Sequence, residues 1–184
     1  MTKNRNFCYI SANCIGGRYY QLEGRLYSSP TVGLRLEGMN YIRFCENLDG
    51  YLAAPLEQDE EASAKRGFPV GRLGDVEIQF VHYFTFAGAK RAWLKRASRI
   101  ERDKIVLICE AREGPKLEEI VSRFVALPFP RKLLFTDSKA IAQDRKEVIY
   151  IPEFGRRDFG LDLYGEFEVF AEAPVLAKIA SALA

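Results

Sequence analysis

Residues 104–109 read Lys-Ile-Val-Leu-Ile-Cys, a nearly continuous aliphatic run. A run of this kind is expected of a strand covered on both faces, the habit of parallel sheets sandwiched by helices. Working outward, Leu117, Ile120, Val121, Phe124 and Leu127 recur at helical spacing and predict a helix that Pro128 ends. Arg131–Thr136 follows as the next strand, and Val148–Ile151 as another. On the other side lies a long basic helix, about Phe86–Arg102. Ala89, Trp93, Ala97 and Ile100 mark its inner face; Arg91, Lys95, Arg99 and Arg102 mark another. Before it, Val76, Ile78 and Phe80 alternate with Asp75, Glu77 and Gln79, the period of a strand with one apolar face.

Strand, helix, strand, helix, strand over residues 75–136 predicts parallel neighbours joined by right-handed crossovers. The expected fold is α/β: one three-layer α/β/α domain over residues 1–184 with a mixed, mostly parallel sheet. Phe7–Ser11 reads as a first strand, Asn13–Gly17 as a turn, and Arg18–Leu22 as a helical turn stopped by Gly24. After the break at Ser28-Ser29-Pro30, Thr31–Leu36 reads as a strand. Met39–Leu52 reads as one helix with Tyr41, Ile42, Cys45, Leu48 and Leu52 on its inner face. Residues 55–67 are polar and charged, a solvated connection. The tail, residues 166–184, can close the domain as a helix that Pro174 breaks or restarts.

A chain of 184 residues with 48% apolar and 28% charged residues has the composition of an ordinary soluble globular protein. Its net charge of +2 sets up no global field for nucleic acid. The N-terminus lacks a signal-peptide core, and no apolar run approaches the roughly 18 residues that span a bilayer. The cytoplasm is the expected compartment. Cys8, Cys14, Cys45 and Cys109 form no Cys-x-x-Cys pair, which suits a reducing compartment. With one histidine and scattered thiols there is no metal-ligand spacing, so no metal is expected. Val70-Gly71-Arg72-Leu73-Gly74 lacks the spacing of a nucleotide loop, and no cofactor is implied.

Ligands of open parallel sheets bind beyond the carboxyl ends of the strands. Cys14 follows the first strand there, and His82 stands at the end of its own. Glu110 and Thr136-Asp137-Ser138 occupy the equivalent places on later strands. If the strands are parallel, these groups share one edge. Thiol chemistry would use Cys14 as nucleophile, its pKa lowered at a helix N-terminus, and His82 as base. Gly16 and Gly17 would turn backbone N–H groups toward an oxyanion. The competing reading makes Cys14 a small thiol in a turn and His82 a satisfied histidine, since His82 shares the parity of Val76, Ile78 and Phe80. Asp75 and Glu77, two apart on one strand face, could take a proton or hold sugar hydroxyls. They are equally read as carboxylates on a solvated face. The basic face of the long helix could hold phosphates or rest on anionic lipid, or simply face water. Without aromatic residues interleaved among its cations, nucleic-acid binding is not expected.

Three blocks carry a family resemblance: Ile10-Ser11-Ala12-Asn13-Cys14-Ile15-Gly16-Gly17, Tyr27-Ser28-Ser29-Pro30-Thr31-Val32-Gly33-Leu34, and Phe68 through Tyr83 with its Leu73-Gly74-Asp75-Val76-Glu77-Ile78 core. Trp93 with Arg96 and Arg99, then Leu127-Pro128 before Lys132–Thr136, follow in order. The chain resembles, over roughly residues 6–140, a bacterial domain-of-unknown-function family whose members are often labelled exopolysaccharide or capsule biosynthesis proteins. The resemblance implies a role in assembling a surface polysaccharide, and carries over Asn13, Cys14, Gly16, Gly17, Ser29, Thr31, Gly74, Asp75, Glu77, His82, Trp93 and Arg99 as motif positions. In the family pattern the position of Gln79 is often histidine and that of Ala12 often asparagine; this chain departs at both.

Two classes of function follow. One is a transferase on surface-glycan precursors, sugar or lipid-linked. It takes an acyl donor through Cys14 and His82, or a nucleotide-sugar donor with Asp75 or Glu77 as base and Arg96 or Arg99 on the donor phosphate. In either case Asn13, Gly16, Gly17, Ser29 and Thr31 are the expected substrate-binding positions, and membrane contact is at most peripheral. The other class is a non-catalytic glycan- or partner-binding module.

Overall fold

The computed structural model describes residues 6–152 and 172–183. Its centre is a four-stranded, wholly parallel sheet in the order β1 (Cys8–Ser11), β5 (Ile105–Glu110), β6 (Lys132–Thr136), β7 (Val148–Tyr150). The aliphatic run is β5, an inner strand, and its alternate side chains enter two different cores. Ile105, Leu107 and Cys109 pack with α2 (Gly38–Glu46), α5 (Phe86–Ala97) and α6 (Leu117–Ala126). Val106 and Ile108 face the opposite layer, with α1 (Ile15–Leu22) and the last described helix, α8 (Ala173–Ala182). Helices on both faces explain why a strand with no polar side to show is stable there. The chain therefore has the three-layer α/β architecture its pattern predicts.

One strand of the pattern goes elsewhere. Val76–Gln79 forms β4, which pairs antiparallel with β3 (Val70–Leu73) and, through it, with the two-residue β2 (Glu57–Gln58) in a separate small sheet. It does not run parallel beside β5; β1 takes that place. The cause is local: Leu73 pairs with Val76, leaving Gly74-Asp75 as a two-residue hairpin loop. Gly74 sits at φ +58, the positive φ such tight turns demand at their first position.

Residues 31–36 also differ from expectation. Gly33, at φ +80, interrupts the run, and only Arg35 pairs, antiparallel with Gln79. The expected helix over 39–52 is broken at Asn47 into α2 and α3 (Leu48–Ala53). The charged stretch 55–67 is solvated but ordered: it holds β2 and α4 (Glu60–Arg66), capped by Asp59, which accepts from Ala62 N–H, and closed by Gly67 in the left-handed conformation. The long basic helix stops at Ala97, so Arg102 leaves α5 for a 3-10 turn and pairs with Asp49. A short α7 (Lys139–Ala142) follows β6. Pro174 lies in the first turn of α8 and so starts it, where a missing N–H costs nothing. Residues 1–5 and 166–171, parts of the N-terminal and tail expectations, lie outside the described residues.

β1 is an edge strand, and side chains cover its open side. Tyr9 N–H donates to Tyr20 Oη at 3.0 Å, Ser11 N–H to Thr31 Oγ1 at 2.9 Å, and Arg25 donates to Phe7 O at 2.8 Å. On its inner side the Tyr41 hydroxyl donates to Ile10 O at 2.7 Å and accepts from Ile108 N–H at 3.0 Å, relaying one rung of the ladder to β5. Tyr41 is fully buried, so Tyr41→Phe strands a carbonyl and an N–H. We expect a loss of about 1–3 kcal/mol in urea unfolding; an unchanged midpoint would mean that the two strands bond directly once the hydroxyl is gone.

Candidate functional site

The carboxyl ends of β1 and β5 lie side by side, and the residues just beyond them form a polar cluster under the turn that follows β4. Cys14 caps α1, and His82 comes from that turn, past the end of its strand. Its Nε2 stands 3.0 Å from Cys14 Sγ. The pair meets although the two residues belong to different sheets. Three backbone links bring the turn across: Arg35 and Gln79 exchange N–H···O bonds of 2.7 and 2.9 Å, Leu36 N–H donates to Ala12 O at 2.8 Å, and His82 N–H donates to Gly33 O at 3.2 Å. His82 is exposed in the turn, not directed to the apolar face its parity suggested.

The electrostatics run against an activated thiol. Burial pushes the Cys14 thiol up to about 11, the Glu110 charge adds to this, and Arg35 opposes it. The shift is therefore upward, opposite to the lowering expected of a helix N-terminus alone. At rest Cys14 is a neutral thiol. Glu110, at the end of β5, is itself pushed up by burial, while Arg112, Arg35 and the Asn13 amide pull it down. Asn13 Nδ2 and Glu110 Oε2 nevertheless complete no hydrogen bond and are both buried. The amide and the carboxyl thus act on each other without a well-formed hydrogen bond. Glu110 was placed on this edge by strand order alone; Arg35 and Arg112 carried no sequence signal, because only the fold brings them to it.

The other predicted positions have structural engagements. Gly16 N–H donates to Ser11 Oγ at 3.3 Å and Ile15 N–H to Asn13 Oδ1 at 3.0 Å, so these donors are already in use. A Cβ on Gly16 would stand 2.8 Å from Ser11 Cβ, and one on Gly17 3.3 Å from Val32 Cγ1; both glycines let α1 pack closely on its surroundings. Ser29 and Thr31 are buried, their hydroxyls 2.9 Å apart, and they hold the 28–31 loop against β1. Arg96 donates to Val32 O at 2.9 Å and to Tyr83 Oη at 2.7 Å and covers the Tyr27 ring at 5.0 Å. Arg99 donates to Tyr27 O at 3.1 Å.

Asp75 and Glu77 have separate partners. Asp75, in the hairpin turn at the opposite end of β4 from His82, accepts from Tyr51 Oη at 2.6 Å, which holds its carboxyl below the usual range. Glu77 lies 3.1 Å from Arg66 and 3.7 Å from Arg72 and accepts from Gln79 Nε2 at 3.1 Å. Neither is bonded to Cys14 or His82. Among the described residues no three His, Cys, Asp or Glu side chains are grouped to hold a metal ion.

A raised thiol pKa has a reactivity and a stability consequence. Iodoacetamide should label Cys14 slowly at neutral pH and faster as the pH climbs toward 11; Glu110→Gln, by removing the charge that disfavours the thiolate, should move that rise to lower pH. Peptide mapping by mass spectrometry reads both, and fast labelling at neutral pH would contradict the assignment. Because the folded-state pKa is the higher one, the stability contributed by the neutral thiol is full below the ordinary thiol value and is lost as the pH rises through 11.

Comparison with known proteins gives a family. The profile described as Domain of unknown function (DUF1919) matches residues 1–172. A protein of Haemophilus influenzae (strain ATCC 51907 / DSM 11121 / KW20 / Rd), named "Uncharacterized protein", is 32% identical over 161 residues, 88% of this chain and 75% of the relative. The matched span contains β1, the β3–β4 hairpin and both members of the Cys14–His82 pair, and the chain belongs to the DUF1919 family.

Proposed function

We propose that the chain is a thiol-dependent acyltransferase in which Cys14 is the nucleophile and His82 its base. The observation that carries this reading is the 3.0 Å contact between Cys14 Sγ and His82 Nε2, within reach for direct proton transfer. Since the thiol is neutral at rest, His82 acts as a general base during attack. Nε2 takes the Sγ–H proton as sulfur bonds to the acyl carbon, and returns it to the leaving group as the donor's bond breaks. The thioester is then attacked by an acceptor hydroxyl, whose proton passes to His82 and on to the departing Cys14 sulfur. Asn13 Nδ2, buried without a well-formed hydrogen bond and adjacent to Cys14 in the chain, is the donor suited to the oxyanion, in place of the Gly16 N–H.

The acceptor class is a precursor of a surface polysaccharide. That part rests on the resemblance of the Asn-Cys-x-Gly-Gly and Leu-Gly-Asp-x-Glu-Ile blocks. The cytoplasm as compartment is supported by four free cysteines. The glycosyl-transfer alternative is less favoured, since Asp75 and Glu77 are engaged by Tyr51, Arg66 and Arg72 away from the thiol. A non-catalytic binding module draws on one specific observation, the neutral resting thiol.

Incubation with p-nitrophenyl acetate separates these readings. The acyltransferase should release nitrophenol and retain one acetyl group on Cys14, seen by intact mass and peptide mapping. Cys14→Ala should abolish the adduct, and His82→Gln should slow its formation by roughly 10²–10⁴-fold. No adduct on the wild-type protein, or equal turnover by Cys14→Ala, rejects the thiol mechanism; Asp75→Asn and Glu77→Gln should leave the rate unchanged.

A further inference from the structure

Helix α5 sends Ala89 and Trp93 into the core and shows the solvent a face that no described residue covers. Ala87, Lys90, Arg91, Leu94, Lys95 and Ser98 are all exposed and recur three and four apart, so they form one continuous stripe. Phe84 stands at its head with a relative exposure of 104%, and Leu94, 57% exposed, lies among the cations. Leu26, 85% exposed, adjoins Tyr27, whose carbonyl is held by Arg99 at the far end of α5.

Charge on this face has one sign. Residues 84–99 include Lys90, Arg91, Lys95, Arg96 and Arg99 and no acidic residue. Arg96 and Arg99 are engaged with loop carbonyls. Lys90, Arg91 and Lys95 form no ion pair or side-chain hydrogen bond among the described residues. Glu60 of α4 lines the groove at the head of the stripe, together with Phe84 and Ala87, and bounds the cationic surface on that side.

We propose that this face docks the protein on an anionic lipid bilayer, with Phe84 and Leu94 entering the interface and Lys90, Arg91 and Lys95 meeting the headgroups. Nucleic acid would match the cations but leave Phe84 and Leu94 in water. A bilayer surface accepts both, which is how interfacial helices with basic and apolar side chains bind. Among the described residues no helix is long and apolar enough to cross a membrane, so the contact is peripheral. Phe84 is two residues from His82, and docking there brings the Cys14–His82 pair to the membrane surface. Docking stands apart from the thiol chemistry; only the corollary, that the acceptor is lipid-linked, rests on the acyltransferase reading.

Flotation of the full chain with vesicles tests it. The protein should float with phosphatidylcholine vesicles containing phosphatidylglycerol, should not float with phosphatidylcholine alone, and should be released by raised salt. Phe84→Ser with Leu94→Ser, and separately Lys90→Glu with Arg91→Glu and Lys95→Glu, should each weaken the partition by roughly tenfold or more. All five side chains are exposed, so circular dichroism and melting temperature should match the wild type. Acetylation of Cys14 by p-nitrophenyl acetate in vesicle-free buffer should also be unchanged, which separates failure of docking from failure of the thiol mechanism. No flotation with anionic vesicles, wild-type flotation by either variant, or stronger retention on duplex or single-stranded DNA than on vesicles would overturn the proposal.

Discussion

The arrangement depends on a backbone clamp of three short segments. Arg35 pairs with Gln79, Leu36 binds Ala12, and His82 binds Gly33, so residues 33–36 tie the small antiparallel sheet to the end of β1. The clamp consists of main-chain hydrogen bonds; the one between Leu36 and Ala12 joins two buried residues that water cannot serve, and such groups are costly to leave unpaired. It fixes the height of the β4 end above the main sheet, and with it the position of His82 over Cys14. Positive φ at Gly33 lets the chain reverse within this space, with the Tyr83 ring 3.2 Å from where a Cβ would stand.

β1 itself is short and lies at the sheet's edge, and its stability is borrowed from side chains. Tyr20, Thr31 and Arg25 satisfy its outer groups, and Tyr41 relays a rung to β5. Covering an edge in this way also denies it to another chain. Several motif positions make structural contacts of their own around the site. Ser29 and Thr31 hold the covering loop, while Gly16 seats α1 on Ser11. Arg96 of α5 and Arg99, just beyond its end, secure the same loop. Close spacing of such residues to Cys14 in the chain reflects the many contacts required to present one side chain at the end of a four-residue strand.

The polar cluster is assembled at a cost. Glu110 and Asn13 are removed from water with bonding capacity unfilled, and Cys14 is held neutral by the same desolvation. On the acyltransferase reading, an imidazole paired with a neutral thiol would work as a base at the moment of attack. The carboxylates of the hairpin, by contrast, have close partners in Tyr51, Arg66 and Arg72.

Much of the fold was legible from residue pattern: the aliphatic β5, the apolar faces of α2, α5 and α6, and the alternation of β4 follow from burial, which each side chain expresses locally. The edge location of Cys14 and Glu110 followed too, since strand direction places both at carboxyl ends. The pattern could not say which strand lies beside β5, because alternation records a covered face but not the neighbour that covers it; the two-residue Gly74-Asp75 turn folded β4 into its own sheet. Nor could it show that the charges of Arg35 and Arg112 act on Glu110, or that burial raises the Cys14 thiol. Sequence alone therefore determined the layers and the residues at their edge. Tertiary structure decided that Cys14 and His82 meet, because that contact joins positions 68 apart in the chain through a clamp of backbone bonds that carry no side-chain signature.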